Sequence, residues 1–330
     1  LSPRTLNTRK ERWPIRGGFR IARGIKNEAE TLLVEIAQGA HVGRGEGVPY
    51  ARYGETHESA IAEIERVSEN ISAGMNRGEL RGAMEPGAAR NALDCALLDL
   101  EAKQSGTPAH MLLGLSPPKP VKTAFTLSLD RPEIMAEAAA AAVNRGHSLL
   151  KLKVAGASDI ERVRAVRAQA PEARLIVDAN EGWNFEELKT LGPVMAELGV
   201  ELIEQPLAAK SDEILQDFVS EVPLCADESC HTSADLPLLK GRYQCVNIKL
   251  DKAGGLTEAL ALALAAKELG LSLMVGCMVS TSLAMAPAML LGGLAAYVDL
   301  DGPLLLERDR ESGLNYERDM VYPPKVALWG

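Results

Sequence analysis

Residues 174–207 read RLIVDANEGWNFEELKTLGPVMAELGVELIEQPL. The two apolar runs, RLIVDAN and ELIEQPL, have the length and aliphatic content of buried strands. The stretch between them, FEELKTLGPVMAELG, spaces its apolar residues as one face of a helix. Strand, helix and strand in this order form a βαβ unit, whose two strands run parallel.

Outward from this unit the same beat recurs over everything after Val121. The strand-like runs VKTAFTLSL, LLKLKVAG, PLCADES, QCVNIKL, LSLMVGCM and YVDLDGP alternate with helical stretches such as IERVRAVRAQA and LTEALALALAAKELG. One βα unit about every 25 residues, repeated roughly eight times, predicts a closed (β/α)8-type barrel. A doubly wound open sheet has fewer units, and no phosphate-binding glycine loop opens this series.

The chain before the barrel has another texture. Thr31 to Gln38 is β-rich, and GAHVGRGEGVPY (39–50) reads as the second arm of a hairpin. Gly43, Gly45 and Gly47 follow a GxGxG spacing with no helix directly after them, so they do not form a dinucleotide-binding loop. Helical patterns follow from Ala60 to Ala73 and over GAARNALDCALLDLEAKQSG, and Ser116-Pro117-Pro118-Lys119-Pro120 closes the segment. The expected organisation is an α+β module over 1–118, a barrel over 119–302, and a tail over 303–330 that returns to pack on the first module.

The composition narrows the function. A net charge of −9 argues against nucleic acid and against anionic membrane surfaces, which need basic patches. An anionic small molecule would have to be drawn in by local groups or by a metal. The five cysteines form no CxxC pair and are odd in number, as expected of reduced thiols in a cytoplasmic protein. The first 18 residues have no apolar core of the kind a signal peptide needs. The apolar run Val279 to Val298 holds Ser280, Thr281, Ser282, Pro287 and Gly292-Gly293, and reads as a buried barrel helix instead of a membrane span.

In a barrel of this kind the active site lies at the C-terminal ends of the strands. Asp178, Glu204 and Asp227 end three successive strands, each inside an apolar run. Three converging carboxylates are a hard, all-oxygen donor set suited to Mg²⁺. Lys151 and Lys153 are two apart, so both point to one face of their strand, and Lys249 faces them from across the barrel. A free lysine titrates near ~10.4, whereas a useful general base lies nearer ~7–8. Burial, a neighbouring lysine and a divalent cation could each lower it. Two lysine bases flanking a metal-bound carboxylate allow a proton to leave one face of an α-carbon and return to the other; enolase-type sites are a standard instance of lysine with Mg²⁺.

The array KLK, VDAN, IEQP, ADES, NIKLDKAGG and GCM, together with ARNALDCALLDLEAK, resembles the muconate-lactonizing subgroup of the enolase superfamily over essentially the whole chain. The resemblance implies a (β/α)7β barrel, TIM-like, with an α+β capping domain built from the N-terminal region and the C-terminal tail. It implies one Mg²⁺ per subunit on Asp178, Glu204 and Asp227, with Lys153 and Lys249 as the acid/base pair. Lys151 would tune Lys153 and help hold the substrate carboxylate. The mandelate-racemase subgroup fits less well, since it has a histidine at the seventh-strand end where this chain has Cys277.

Within the subgroup, the Asp299-x-Asp301 pair on the eighth strand is similar to that of the dipeptide epimerases, where it meets the free α-ammonium of a dipeptide. RYGE, CADESCH, GRY, VNIKLDK, GGLTEALALA and DLDGP are most like the members acting on L-Ala-D/L-Glu. By that likeness Thr126 and Cys277 fall at substrate contacts, and Arg23 is a candidate for the glutamate side-chain carboxylate. The expected activity is inversion of the C-terminal residue of such dipeptides through an ene-diolate, in a soluble enzyme that forms homo-oligomers if any assembly. The alternatives are an o-succinylbenzoate synthase-like lyase, which has no use for Asp299 and Asp301, and an N-acylamino-acid racemase.

Overall fold

The computed structural model describes residues 3–21, 23–156 and 158–330. The N-terminal module is a three-stranded antiparallel sheet. Strand Thr5–Ile21 pairs with Gly24–Gln38, and His41–Gly47 adds the third strand. The first pairing runs from Thr5 opposite Ala37 to Ile21 opposite Gly24 and slips between Pro14 and Phe19, at the left-handed pair Gly17 and Gly18. This hairpin is longer than the β-rich run from Thr31. Its outer strand carries charged, exposed residues that hide the apolar alternation on which a strand is recognised in sequence.

Helices His57–Ser72 and Ala88–Ser105 cover one face of this sheet. Gly43, Gly45 and Gly47 form the seat of the second helix. A Cβ at these positions would come within 2.1, 2.0 and 2.3 Å of the carbonyl oxygens of Ala96, Ala92 and Ala88. The glycine repeat therefore serves close strand–helix packing, and no phosphate loop is present there.

Eight parallel strands build the barrel: Phe125–Leu127, Leu149–Lys153, Arg174–Asp178, Val200–Glu204, Leu224–Ala226, Cys245–Ile248, Ser272–Val275 and Tyr297–Val298, in that order across the sheet. The Ala124 N–H donates to the Val298 carbonyl at 2.7 Å, linking the last strand to the first. The helical beat is uneven. The first three crossovers and the sixth carry helices of two turns or more, but the fourth holds only the 3-10 segment Ala209–Leu215 and the fifth the short helix Leu236–Leu239.

The period-two alternation of strands sorts the barrel interior into layers. Leu149, Ile176, Leu202, Cys225 and Cys245 form an apolar floor with Ala124 and Met274. Two residues further along the same strands stand Lys151, Asp178, Glu204, Asp227 and Asn247, all buried. The register places Lys153 opposite Asp178 and Asp178 opposite Glu204.

The run 279–298 forms the buried helix Ser282–Ala288 and the 3-10 turn Met289–Leu294, and no helix among the described residues is long and apolar enough to cross a membrane. The tail returns to the N-terminal module. Glu307 N–H donates to the Pro14 carbonyl, Arg310 pairs with Glu11 and Glu46, and the Trp329 indole donates to the Cys95 carbonyl. On its way the hairpin Tyr316–Val321 also pairs with Val121–Lys122 beneath the barrel.

Candidate active site

A cavity of about 930 Å³ lies between the barrel mouth and the N-terminal hairpin. All the candidate residues line it except Asp178 and Glu204, which lie just beneath, shielded from solvent. From above it is roofed by Phe19, whose ring centroid is 5.9 Å from the Lys153 ammonium, and by Arg23.

The floor of the cavity is a lattice of alternating charge. Lys151 Nζ lies 2.7 Å from Glu204, 2.8 Å from Asp299 and 3.1 Å from Asp178. Lys153 Nζ contacts Asp178 at 2.5 Å, and Lys249 Nζ contacts Asp227 at 2.7 Å. The second and sixth strands are half the barrel apart, so Lys153 and Lys249 approach the cavity from opposite sides. On the eighth strand, Asp301 accepts the Thr126 backbone N–H at 2.6 Å, and Asp299 lies 3.5 Å from the Thr126 hydroxyl. Cys277 lines the wall; burial and then the Asp299 and Asp301 charges push its thiol well above the usual range.

The loops that carry these groups are held in uncommon backbone conformations. Asn180, Glu181 and Gln205, just past the third and fourth strand ends, all have positive φ, as is frequent where a site constrains the chain. The Gln205 side chain accepts the backbone N–H groups of Asp227 and Ser229 and donates to Leu207, Ser229 and Tyr243, fixing the fifth-strand loop. Asn247 donates to Glu204 at 2.8 Å. A Cβ on Gly276 would sit 2.6 Å from the Asn247 amide oxygen, so a side chain there would press on the Asn247–Glu204 contact.

Burial opposes ionisation of Asp178, but Lys153 and Lys151 outweigh it and hold the carboxyl well below its usual range. Asp227 is depressed in the same way by Lys249 and Lys252. Glu204 is pushed up to about 7 by burial and by the charge of Asp178, against the pull of Lys151. Lys151 and Lys249, taken with the protein's own groups and without the divalent cation on which the expected lowering also depended, are raised. Burial does pull them down, but Asp299, Glu204 and Asp178 around the first, and Asp227 and Glu204 around the second, raise both well above the ordinary value.

The donor set fits a hard cation. Among the described residues no three His, Cys, Asp or Glu side chains already surround one point as a metal cage, because ammonium groups stand between the carboxylates. Yet Glu204 Oε2 and Asp227 Oδ1 are buried and accept no directed hydrogen bond, although Lys151 and Lys252 stand 2.7 Å away. Oxygens with spare lone pairs on neighbouring strand ends are what Mg²⁺ coordination uses.

Several residues were missed in the sequence. Lys252 is fully buried, pairs with Asp227 at 2.7 Å and donates to the carbonyls of Asp227 and Asn247. Its place in NIKLDKAGG, one helical turn after Lys249, was the available signal. Glu228, next to Asp227, points at Arg23, and Lys26 lines the cavity with its ammonium over the Tyr50 ring at 4.5 Å.

Arg23 reaches down from the hairpin tip. It donates to the Asn180 carbonyl and to Glu228, both at 2.9 Å, and lies 3.4 Å from Glu181, which in turn holds Arg52 at 2.6 Å. Burial and then the charges of Asp227 and Asp178 push Glu228 up to about 7.

Residues 133–325 match the family model described as enolase C-terminal domain-like, and residues 3–114 match the N-terminal domain of mandelate racemase/muconate lactonizing enzyme. The chain belongs to the enolase superfamily. It is similar, at 46% identity covering 95% of this chain and 98% of the relative, to the L-Ala-D/L-Glu epimerase of Escherichia coli K12. Identity is also 46% to the N-acetyl-D-glutamate racemase of a Pseudoalteromonas species, over 91% and 95% of the two chains. Among solved structures, an Agrobacterium tumefaciens enolase family member with homology to dipeptide epimerases, holding sodium and L-Ala-L-Glu, superposes with a TM-score of 0.96 at 50% identity, over 99% and 100% of the chains. The Enterococcus faecalis dipeptide epimerase, solved with Mg and L-Leu-L-Tyr, gives 0.92 at 29% identity over 98% of each chain. This superfamily member is thus an isomerase of the racemase and epimerase class.

Proposed function

We propose that the chain is a Mg²⁺-dependent dipeptide epimerase that inverts the α-carbon of the C-terminal residue in L-Ala-D/L-Glu-type dipeptides. The observation that carries this reading is the placement of Lys153 and Lys249 on opposite strands beneath one cavity whose eighth-strand wall is Asp299 and Asp301. One lysine, neutral, takes the α-proton as the C–H bond breaks. The other, as an ammonium, delivers its proton to the opposite face, and the two exchange protonation states. Asp178, Glu204 and Asp227 would hold a single Mg²⁺, which would supply positive charge to the substrate carboxylate as the proton leaves.

Asp299 and Asp301 offer negative charge to the α-ammonium, and Lys151 offers positive charge to the carboxylate. The two 46%-identical relatives have different N-terminal groups in the names of their substrates but share glutamate as the inverted residue, which supports glutamate here. Arg23 and Lys26 are cations at the cavity available to its side chain.

The experiment is to incubate the Mg²⁺-supplemented enzyme with L,L-dipeptides in deuterated water and follow the α-proton of the C-terminal residue by NMR. Loss of that signal from L-Ala-L-Glu with appearance of the L,D epimer is expected. Retention of the α-proton in every dipeptide would sink the proposal.

A further inference from the structure

We propose that Asp159 is a positioning residue for the Lys153 side of the reaction, an inference that rests on the two-lysine reading. Asp159 opens the helix Asp159–Gln169, is buried, and touches no part of the cavity. Its carboxylate collects donors from three directions. The Ala155 N–H lies at 3.0 and 3.1 Å from its two oxygens and the Gly156 N–H at 2.5 Å; the Trp183 indole and Arg162 donate at 2.8 Å each.

Ala155, Gly156 and Trp183 sit on the loops that end the catalytic strands, and Arg162 lies in the helix that Asp159 opens. Ala155 and Gly156 follow Lys153 by two and three residues, and Gly156 turns the chain at φ +99°. Trp183 closes the loop after Asp178, whose backbone passes through the left-handed residues Asn180 and Glu181, and its N–H donates to the Pro206 carbonyl of the fourth-strand loop. Arg162 extends the network to the first-strand loop through the Asp130 carbonyl at 2.9 Å. One buried carboxylate therefore clamps the chain leaving Lys153 against the chain leaving Asp178, the two residues whose side chains meet at 2.5 Å.

None of these contacts reaches the sixth strand. Lys249 is braced by Asp227 and by the turn Leu250–Ala253, with Lys252 beneath. Loosening Asp159 should thus displace Lys153 more than Lys249, and a shift of about 1 Å can cost about a hundredfold in rate. Any disturbance of Asp178 would fall on both epimers alike and is read separately by Mg²⁺ titration of the same variant. A residue that only stabilised the fold would affect both faces alike.

The test measures α-proton exchange of L-Ala-L-Glu and L-Ala-D-Glu separately in deuterated water, with Lys153→Ala defining which epimer depends on Lys153. Asp159→Asn should lower exchange of that epimer about 10- to 100-fold and leave the other within about threefold. Trp183→Phe removes the indole donor along with part of a buried ring and should show the same selectivity at about 3- to 10-fold, which decides the matter if Asp159→Asn does not fold. Equal losses on both epimers, or no loss, would overturn the proposal. Absence of exchange by the unaltered enzyme would instead overturn the epimerase reading and this inference with it.

Discussion

Lys151 and Asp299, on the second and eighth barrel strands, form a buried ion pair at 2.8 Å. The two are proposed to serve opposite ends of the substrate, and on that reading the pair couples the two tasks. When a substrate carboxylate draws on Lys151, Asp299 loses its partner unless a cation replaces it. The α-ammonium of a free dipeptide would do so, and an N-acetyl group could not. N-acetyl-L-Ala-L-Glu should therefore lose about 2–4 kcal/mol of transition-state stabilisation, or about 30- to 1000-fold in kcat/KM. Asp299→Ala should lower turnover of the free dipeptide to a similar extent while Mg²⁺ binding, read by titration, stays intact. Equal kcat/KM on both substrates with the unaltered enzyme would favour an N-acylamino-acid racemase or a lyase.

Lys153 and Lys249 stand on different carboxylates, Asp178 and Asp227, so each can be removed without unpairing the other. Lys153→Ala and Lys249→Ala should each abolish net inversion, by at least about 10³-fold in kcat. Each variant should still exchange the α-proton of the one epimer that faces its remaining base. Near-normal inversion by either variant would rule out the two-base mechanism.

The barrel and the cluster of buried ionisable residues at its strand ends were legible because burial and period two act together. An ionisable residue ending an apolar run, as in LIVDAN, LIEQP and LLKLK, has nowhere to point but the barrel interior. What stayed hidden depends on geometry between distant segments. The outer hairpin strand Thr5–Ile21 is masked by its exposed charges. Glu228 and Lys252 adjoin recognised residues, but only the turns after the fifth and sixth strands aim them at Arg23 and Asp227. The raised lysines could not be read either, since they depend on distances to Asp299 and Glu204 that no spacing reveals.

The buried oxygens of Glu204 and Asp227 that accept no directed hydrogen bond set the expectation for the metal. Excess chelator followed by dialysis should abolish epimerisation, and Mg²⁺ should restore it. Mg²⁺ at about 100 times its Kd should also stabilise the fold by about 2.7 kcal/mol, visible as a higher Tm. Asp227→Asn should remove that thermal shift. Full activity in chelator would exclude the magnesium requirement.

Arg23 joins the hairpin tip to Glu228 and Glu181, yet its guanidinium is partly open to the cavity. If it reads the glutamate side chain, Arg23→Met should reduce kcat/KM for L-Ala-L-Glu about 10- to 100-fold and for L-Ala-L-Gln by less than about threefold. A loss shared equally by both substrates would show that Arg23 serves only as a latch between the hairpin and the barrel loops.

If Asp301 meets the substrate ammonium, its titration should set the pH dependence of substrate choice. Burial and the neighbouring Asp299 push its carboxyl up to about 7. Because the value is raised, Asp301 is neutral below about 7 and a carboxylate above it. The ionised form attracts an ammonium, whereas the neutral form can donate a hydrogen bond to an acyl oxygen. A free α-amino group titrates near ~7.7–8.0, so ammonium substrate and ionised Asp301 coexist only over a narrow interval. The ratio of kcat/KM for L-Ala-L-Glu to that for its N-acetyl derivative should rise as pH increases from 6 to about 7.5, by about tenfold. The same raised value means that ionising Asp301 costs stability as pH rises from the unfolded carboxyl range toward 7, and that cost should vanish in Asp301→Asn. Measuring both substrates across pH 6–8.5 on the unaltered enzyme and on Asp301→Asn checks this. A ratio that climbs just as steeply in the asparagine variant would assign the titration to another group and remove Asp301 from ammonium recognition.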